Sequence, residues 1–403
     1  MSVATGATPA ATRLNRSTTA ELEATVERLL SEGVDLCRLG LGEPDTLVPD
    51  HVREAAIAAI RENFSHYTST AGILALRTAI ADRLRADIGV SYEPSEVIVS
   101  TGAKQAIFNA LAALVADGDE VMIPVPHWVS FPEQVRFLGG VPVAIPTSAA
   151  TAYRVTADEV EQHVTPRTRV LILNSPNNPS GAVHGSRDLE AIARVCARHG
   201  IWTISDEVYS TYVYTAEGHR SIASLPGMRE RTVVVNALSK TFGMTGWRIG
   251  YAAAPADVTK VMVTLQSHVT SNVNSIAQRA ALAAVSGPQE WLAAVRRDYA
   301  ARREVLVAGI ARARGLEAPT PDGAFFLWVD ASAWLGRDLG GRRISDTVDL
   351  AAVLLDEARV AVMPGAAFGS ARHMRLSFAA PLPELSEGIA RMTTLLGTSG
   401  PGR

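Results

Sequence analysis

Apolar and polar positions follow two different periods along the first 250 or so residues of the chain. Short runs rich in β-branched residues alternate with segments whose apolar residues recur every three or four positions, as in amphipathic helices. Several of the runs are apolar throughout, which is typical of strands covered by helices on both faces. The pattern predicts an α/β fold with a mostly parallel central sheet. The predicted strands lie at 96–101, 120–124, 141–145, 169–174, 201–205, 232–237 and 249–254.

The pattern changes after Ala256, where two long helical stretches are predicted over 256–286 and 289–314. Three short strands follow, in "GAFFLWVD", "VAVMPG" and "HMRLSFA", and together with the helices they predict a smaller α+β domain. We therefore divide the chain into a mobile N-terminal tail (1–16), a segment that packs with the small domain (17–49), a large domain (50–287) and a small C-terminal domain (288–403).

Composition excludes several classes of function. Lys and Arg number 38 against 41 acidic residues, so no basic surplus indicates a nucleic-acid partner. No apolar stretch approaches the roughly 20 residues that span a bilayer, and residues 1–12 lack the pattern of a signal peptide. Cys37 and Cys196 are expected to be free buried thiols, and the scattered histidines predict no metal site. The expected localisation is cytoplasmic.

Candidate chemistry lies where the predicted strands end, since ligands bind beyond the C-terminal ends of strands in a parallel sheet. Taken singly, each feature has an ordinary structural explanation, such as a helix cap or a turn. Their joint occurrence at one edge of the sheet indicates a ligand site. The residues that follow the strand ends are Gly102, Ala103 and Lys104 after "EVIVST", Asn178 in "SPNNPSG", Asp206 and Tyr209 after "IWTIS", and Lys240 after "TVVVNALS".

These residue types together fit one cofactor. A lysine such as Lys240 can form a Schiff base with an aldehyde, and a carboxylate such as Asp206 keeps a pyridine nitrogen protonated. A phenol and an amide can both bond a ring oxygen. An arginine such as Arg248 can hold a phosphate together with a helix N-terminus, and an indole such as Trp128 can stack on the ring. Aldehyde, pyridine, phenolic oxygen and phosphate describe pyridoxal 5'-phosphate (PLP).

The motifs that carry these residues are specific to one family. The chain resembles the class I aminotransferases, PLP-dependent enzymes of fold type I, and is similar to their bacterial aspartate/prephenate branch from about Arg13 to about Leu396. The resemblance implies a large PLP-binding domain, a smaller α+β domain and a homodimer with shared active sites. The expected reaction moves an amino group between an L-amino acid and a 2-oxo acid. The motifs are "LGEPD", "YTSTAG", "TGAKQA", "SPNNPSG", "SDEVYS", "SKTFGMTGWRIGY" and "RLSFA", in family order.

The resemblance also implies a role for each residue. Lys240 is the Schiff-base lysine and moves the proton at the substrate Cα, and Arg375 clamps the α-carboxylate of the substrate. The implied catalytic residues are Lys240, Asp206 and Tyr209. The implied cofactor-binding residues are Gly102, Ala103, Lys104, Trp128, Asn178, Asp206, Tyr209, Ser239, Lys240 and Arg248, with Tyr67 reaching the phosphate of the neighbouring subunit. The implied substrate-binding residues are Gly42, Lys104, Trp128, Asn178 and Arg375.

Two features give opposite predictions for the substrate side chain. Lys104 lies where the aspartate/prephenate branch carries a lysine for a distal carboxylate, which favours aspartate or glutamate with 2-oxoglutarate as partner. Glu21 lies in the segment that usually forms an apolar lid, and a carboxylate there favours a neutral, aromatic or basic amino acid. Ala237 also departs from the family pattern, since many relatives carry a phosphate-binding serine at this position.

Two other functions fit the same motifs. A PLP enzyme of another reaction type, such as a lyase, decarboxylase or oxidase, would use the same cofactor site. A PLP-sensing regulator would need a DNA-binding domain, and the few residues before the first predicted helix leave no room for one.

Overall fold

The computed structural model describes residues 14–15 and 18–398, so most of the predicted tail over 1–16 lies outside the described residues. The strands are β1 (Cys37–Arg38), β2 (Val97–Ser100), β3 (Glu120–Val125), β4 (Val141–Pro146), β5 (Thr168–Asn174), β6 (Trp202–Asp206), β7 (Thr232–Ala237), β8 (Gly250–Ala253), β9 (Phe326–Asp330), β10 (Asp338–Leu339), β11 (Arg342–Arg343), β12 (Val360–Ala361), β13 (Met363–Pro364) and β14 (His373–Ser377). The helices are α1 (Thr18–Ser31), α2 (Asp50–Arg61), α3 (Leu74–Ile88), α4 (Gly102–Leu114), α5 (Ser130–Phe137), α6 (Ala157–Gln162), α7 (Ser186–His199), α8 (Leu238–Thr241), α9 (Ala256–Val269), α10 (Ser275–Ser286), α11 (Trp291–Ile310), α12 (Thr347–Ala358) and α13 (Leu382–Thr398).

A seven-stranded sheet of order β2-β8-β7-β6-β5-β3-β4 forms the centre of the fold. The strands from β7 to β4 pair in parallel, and β8 lies antiparallel between β7 and β2. Each of these strands begins and ends within one residue of its predicted bounds. The prediction of a mostly parallel α/β sheet is confirmed.

Both faces of this sheet are buried, which explains the uninterrupted apolar runs. In β5, Val170 and Ile172 belong to one buried cluster with apolar residues of α4. Leu171 and Leu173 belong to a second cluster with apolar residues of α7. Successive side chains of a strand point to opposite faces, so a strand covered by helices on both sides needs apolar residues at every position.

The helix predicted over 256–286 is interrupted in the structure. Helix α9 ends at Val269 and α10 begins at Ser275. Between them Ser271 has a positive φ of 59°, and the Asn274 side chain accepts a hydrogen bond of 2.9 Å from the Ala277 N–H as a helix cap. Serine and asparagine bond to nearby backbone more readily than they continue a helix, so their cluster in "TSNVNS" divides the predicted helix in two.

The run "VAVMPG" also differs from its prediction as one strand. Residues of β12 pair in parallel with β1, whereas β13 pairs antiparallel with β14, which in turn pairs with β9. In the N-terminal segment, Val26 and Leu36 pack in one cluster with Leu355 of α12 and Ala361. The run therefore joins two small sheets rather than extending one.

The short segment that follows β1 is held from several sides. Ser377 of β14 donates its backbone N–H to the Leu39 carbonyl, at 2.6 Å. At the other end of the segment, Asp45 accepts hydrogen bonds from the Tyr299 hydroxyl at 3.0 Å and from Arg302 at 2.8 Å. Both of these residues lie on α11, and Arg302 also bonds the carbonyls of residues 379 and 380. These contacts fix the backbone between residues 39 and 45, which contributes to the site described below.

The close approach of β8 to the start of α4 gives a test of this packing. A Cβ atom added to Gly250 would lie 2.4 Å from the Ala103 backbone nitrogen. The contact is with backbone, so it cannot be relieved by a change of side-chain rotamer. We expect Gly250→Ala to lower the free energy of unfolding by about 1–3 kcal/mol because of this overpacking. Gly246→Ala is the matched control, since nothing lies within 4 Å of its added Cβ. Equal thermal unfolding midpoints for the two variants would contradict the prediction.

Candidate active site

One cavity of about 690 Å³ lies at the C-terminal ends of β5, β6 and β7. It brings together side chains that are far apart in the sequence, because parallel strands present their C-terminal ends at one edge of the sheet. The predicted site residues that line it are Gly42, Ala103, Lys104, Trp128, Asn178, Asp206, Tyr209, Ser239, Lys240, Arg248 and Arg375.

Asp206, the last residue of β6, supplies a buried carboxylate to the cavity. Its Oδ1 accepts a hydrogen bond of 3.3 Å from the Val208 N–H, and no described cation lies within ion-pair distance. Burial raises the pKa of Asp206 from 3.8 to about 7, and the neighbouring Glu207 adds to the rise. A carboxylate in such a place is stabilised by any bound group that brings a positive charge or an N–H donor.

Asn178 and Tyr209 form a hydrogen-bonded pair beside Asp206. The Asn178 Nδ2 donates to the Tyr209 hydroxyl at 3.3 Å, and the Asn178 Oδ1 accepts from Arg375 at 3.0 Å. The backbone N–H of Asn178 donates to the Oδ1 of Asn174, the last residue of β5, at 2.8 Å. The amide of Asn178 is therefore held in one orientation, with its two ends bonded to different partners.

Lys240 lies in the single turn of α8 that follows β7. Its ammonium donates to the Gly42 carbonyl, and no carboxylate of the described residues forms an ion pair with it. Burial lowers the pKa of Lys240 from 10.5 to about 8, although Glu43 partly offsets this effect. An appreciable fraction of this amine is therefore neutral and nucleophilic near neutral pH.

Arg375, in the middle of β14, carries a buried charge that no carboxylate of the described residues meets. The residue is 4% exposed, and its guanidinium donates to the Gly40 carbonyl at 2.8 Å and to Asn178. The rings of Phe326 and Phe368 lie 4.4 and 4.9 Å from its Cζ. Its Nε has no partner among the described residues, and burial lowers its pKa to about 10. Such a group favours an anionic ligand strongly.

A second place for an anion lies at the start of α4. No side chain caps the first turn of this helix, so its backbone N–H groups remain available. Gly102 has a φ of +77°, and a Cβ there would lie 2.6 Å from the Arg248 guanidinium. Arg248 itself donates to the Thr245 carbonyl at 2.9 Å and lines the cavity. Helix N-terminus and guanidinium together suit a phosphate.

Lys104 and Trp128 line the wall of the cavity. The Lys104 Nζ lies 4.9 Å from the centre of the Trp128 ring, and burial and Arg248 lower the pKa of Lys104. The carboxylates that line the cavity from α1 are those of Glu23 and Glu27, and Glu21 is not among the lining residues. Residues two positions apart on a helix do not face the same way, so the expectation that Glu21 lies at the mouth is corrected.

Two predicted residues do not line the cavity. Gly102 lies against the guanidinium of Arg248. Tyr67 is 91% exposed and lies beside His66 and Asn272 at a separate hollow on the surface. Its predicted reach into a neighbouring subunit stays a prediction.

Several residues of the site were not predicted from the sequence. The carbonyl of Gly40 and the ring of Phe368 contact Arg375, but neither has a signal in the sequence, since any residue has a carbonyl. The small number of lysines is a sequence signal that could have pointed to the site. The chain has three lysines, of which Lys104 and Lys240 line the cavity and Lys260 is exposed on α9.

Other kinds of site find no support in the described residues. They contain no group of three or more His, Cys, Asp or Glu side chains placed to hold a metal ion. Among the helices described, none is long and apolar enough to cross a bilayer. The cavity therefore stands out as the place where charge, burial and open volume coincide.

Comparison with known proteins gives a consistent result. The family model for aminotransferase class I and II matches residues 34–391. The aspartate aminotransferase of Geobacillus stearothermophilus is 41% identical over 381 residues, which cover 94% of this chain and 96% of that protein. The aspartate/prephenate aminotransferase of Cereibacter sphaeroides is 41% identical over 383 residues, with the same two coverages. The crystal structure of the Rhizobium meliloti aspartate aminotransferase superposes with a TM-score of 0.93 at 37% identity, covering 97% of this chain and 99% of that chain.

The raised pKa of Asp206 makes the stability of the ligand-free protein depend on pH. A carboxyl whose pKa is raised on folding contributes stability that is lost as the pH rises through the folded pKa. For a pKa of about 7 against an ordinary 3.8, we expect Asp206→Asn to be more stable than the wild type by roughly 4 kcal/mol at pH 8. The difference should fall below about 1 kcal/mol at pH 4. Denaturant unfolding of both proteins across this range is the measurement, and parallel stability curves would show that Asp206 titrates normally.

Proposed function

Because the chain belongs to the class I and II aminotransferase family, and is therefore an enzyme that transfers amino groups, we propose that it binds PLP in the cavity and acts on an acidic amino acid. The amino group would move between aspartate or glutamate and a 2-oxo acid such as 2-oxoglutarate. The observation that carries this proposal is that Lys240, Asp206 and Arg375 line one cavity, each with its pKa displaced by burial.

The charges of the cavity suit PLP and an amino acid together. Among the residues that the structure describes, Asp206 is a buried carboxylate with no cation beside it, and Arg375 is a buried cation with no carboxylate beside it. A protonated pyridine nitrogen would compensate the first, and a substrate α-carboxylate would compensate the second. When bound, PLP supplies an aldehyde that combines with amines and a ring that accepts the electron pair left at the substrate Cα.

The cofactor would be held from all sides by residues described above. Asp206 holds the proton on the ring nitrogen, while the hydroxyl of Tyr209 and the amide of Asn178 bond the ring oxygen. Arg248, Ser239 and the free N–H groups at the start of α4 bind the phosphate, and Trp128 covers one face of the ring. Because Ala237 has no hydroxyl, it would offer the phosphate no side-chain hydrogen bond.

Lys240 would have two tasks. Its amine holds the cofactor through the aldehyde carbon, and its neutral form is available because burial lowers its pKa to about 8. When the amine is free, Nζ takes up the proton released from the substrate Cα and later returns it. A base whose pKa lies close to the working pH transfers protons in both directions efficiently.

Recognition of the substrate would depend on two cations. Arg375 binds the α-carboxylate with its paired N–H groups, and Asn178 and the backbone at Gly42 complete that end of the site. Lys104 lies on the cavity wall and would bind the second carboxylate of aspartate or glutamate. The names of the relatives, aspartate aminotransferase and aspartate/prephenate aminotransferase, support a substrate of this charge.

We also propose that the enzyme is a homodimer with shared sites. Tyr67 exposes 91% of its surface and lies outside the cavity, which suits a residue that acts in the neighbouring subunit. Sedimentation equilibrium should give the mass of two chains, and a mass of one chain would contradict the proposal. The cytoplasmic localisation expected from the sequence stays a prediction.

Reduction with borohydride tests the cofactor assignment directly. The three lysines of the chain make the experiment selective, because Lys240, Lys104 and Lys260 are the available side-chain amines. We expect peptide mapping of the reduced holoenzyme to place the phosphopyridoxyl group on Lys240. Lys240→Ala should lose turnover by several orders of magnitude while remaining folded, and Lys260→Ala should behave as the wild type. A label on Lys104 or Lys260 alone would overturn the assignment.

Substitution of Lys104 tests the choice of substrate. Lys104→Ala should raise KM for aspartate about 10-fold or more, as expected for a hydrogen bond between charged groups worth ~1.5–3 kcal/mol. It should leave the kcat/KM for alanine nearly unchanged, because alanine has no second carboxylate. If the wild-type enzyme turns over neutral or basic amino acids but not aspartate or glutamate, the proposed substrate is wrong.

A further inference from the structure

The helix α1 contributes two carboxylates to the lining of the cavity. Glu23 and Glu27 are exposed, line the cavity one helical turn apart, and form no ion pair with any described residue. Other residues of the same lining are apolar, among them Leu22 and Val26. An apolar lid would suffice to exclude water, so the carboxylates need a separate explanation.

The two carboxylates differ in their relation to the charges inside. Glu23 is the acidic residue whose field acts on three of the cavity's cations, since it raises the pKa of Lys104, Lys240 and Arg375. No corresponding effect of Glu27 is found on these groups. Both carboxylates line the cavity, and Glu23 is the one of the two that interacts electrostatically with the cations of its wall.

An aminotransferase must accept two different side chains at one site, since the amino donor and the 2-oxo acid acceptor bind in the same cavity in turn. A lysine on the wall attracts a second carboxylate, but its charge is also partly desolvated and is stabilised by a counter-charge when the substrate side chain is neutral. Desolvation already lowers the pKa of Lys104. The carboxylate of Glu23, which lines the same cavity as Lys104, can provide that counter-charge.

We propose that Glu23 determines side-chain specificity by acting as the internal counter-charge of Lys104. With a neutral side chain in the cavity, the carboxylate of Glu23 faces Lys104. The second carboxylate of an acidic substrate displaces Glu23 and takes its place against the lysine. This inference rests on the proposed function, in which Lys104 meets the substrate side chain.

Glu23 then works against acidic ligands and in favour of neutral ones. A dicarboxylate must overcome the repulsion of Glu23 before it gains the attraction of Lys104, whereas a monocarboxylate leaves the internal pair in place. The charge of Glu23 thus reduces the difference between the affinities for dicarboxylates and for monocarboxylates. Because the carboxylate is solvent-exposed, its effect is screened and is expected to be modest.

Ligand binding to the holoenzyme tests this role. Maleate and butyrate both have four carbons, but maleate has two carboxylates and butyrate has one. Calorimetric titration should show that Glu23→Gln raises the affinity for maleate relative to butyrate by about three- to fivefold. Glu27→Gln is the matched control on the same helix and should leave the ratio within error of the wild type. In a Lys104→Ala background, Glu23→Gln should change the ratio clearly less, because only the direct repulsion between Glu23 and the second carboxylate then remains.

The outcomes separate the two proposals. An unchanged ratio in Glu23→Gln, an equal change in Glu27→Gln, or a change of undiminished size without Lys104 would each overturn the role of Glu23. If aspartate and glutamate are not substrates, the proposed function fails on its substrate, and the maleate-to-butyrate ratio still decides whether Glu23 opposes a second carboxylate. Because Glu23 is exposed and unpaired with described residues, Glu23→Gln should keep the thermal unfolding midpoint of the wild type, and a lowered midpoint would indicate a structural role instead.

Discussion

The guanidinium of Arg375 is buried against two aromatic rings, and a carbonyl and a side-chain amide are its hydrogen-bond acceptors. The backbone carbonyl of Gly40 points inward and accepts a hydrogen bond from this guanidinium. Two residues further on, the carbonyl of Gly42 accepts a hydrogen bond from Lys240. The same short segment is anchored at Asp45 by α11. The N-terminal segment, the large sheet and the small antiparallel sheet thus meet at one buried cation, and the shape of the cavity follows from this constraint.

Burial acts in opposite directions on the acid and the base of the site. It raises the pKa of Asp206 to about 7 and lowers that of Lys240 to about 8, so two groups that ordinarily differ by several pH units come to lie within about one. A bound group of opposite charge beside either residue would reverse its displacement.

The sequence predicted the central sheet well because its strands are apolar on both faces, and this pattern is local to each strand. The site residues at the strand ends could then be predicted, because the C-terminal ends of parallel strands lie at one edge of the sheet. Features that depend on distant partners were not predicted, such as the division of "VAVMPG" between two sheets. Glu21 was predicted from the sequence, whereas Glu23 and Glu27 line the cavity, because a sequence shows which residues a helix contains but packing against the rest of the protein sets its rotation about its own axis.

The scarcity of lysine has a consequence for experiments on this enzyme. Two of the three lysines line the cavity and the third is exposed on α9. Protein grown with isotope-labelled lysine would therefore give a nuclear magnetic resonance spectrum with three side-chain signals, two of them from inside the cavity. The ionisation of each amine could be followed directly as ligands enter, in a protein of 42.8 kDa whose complete spectrum would be crowded.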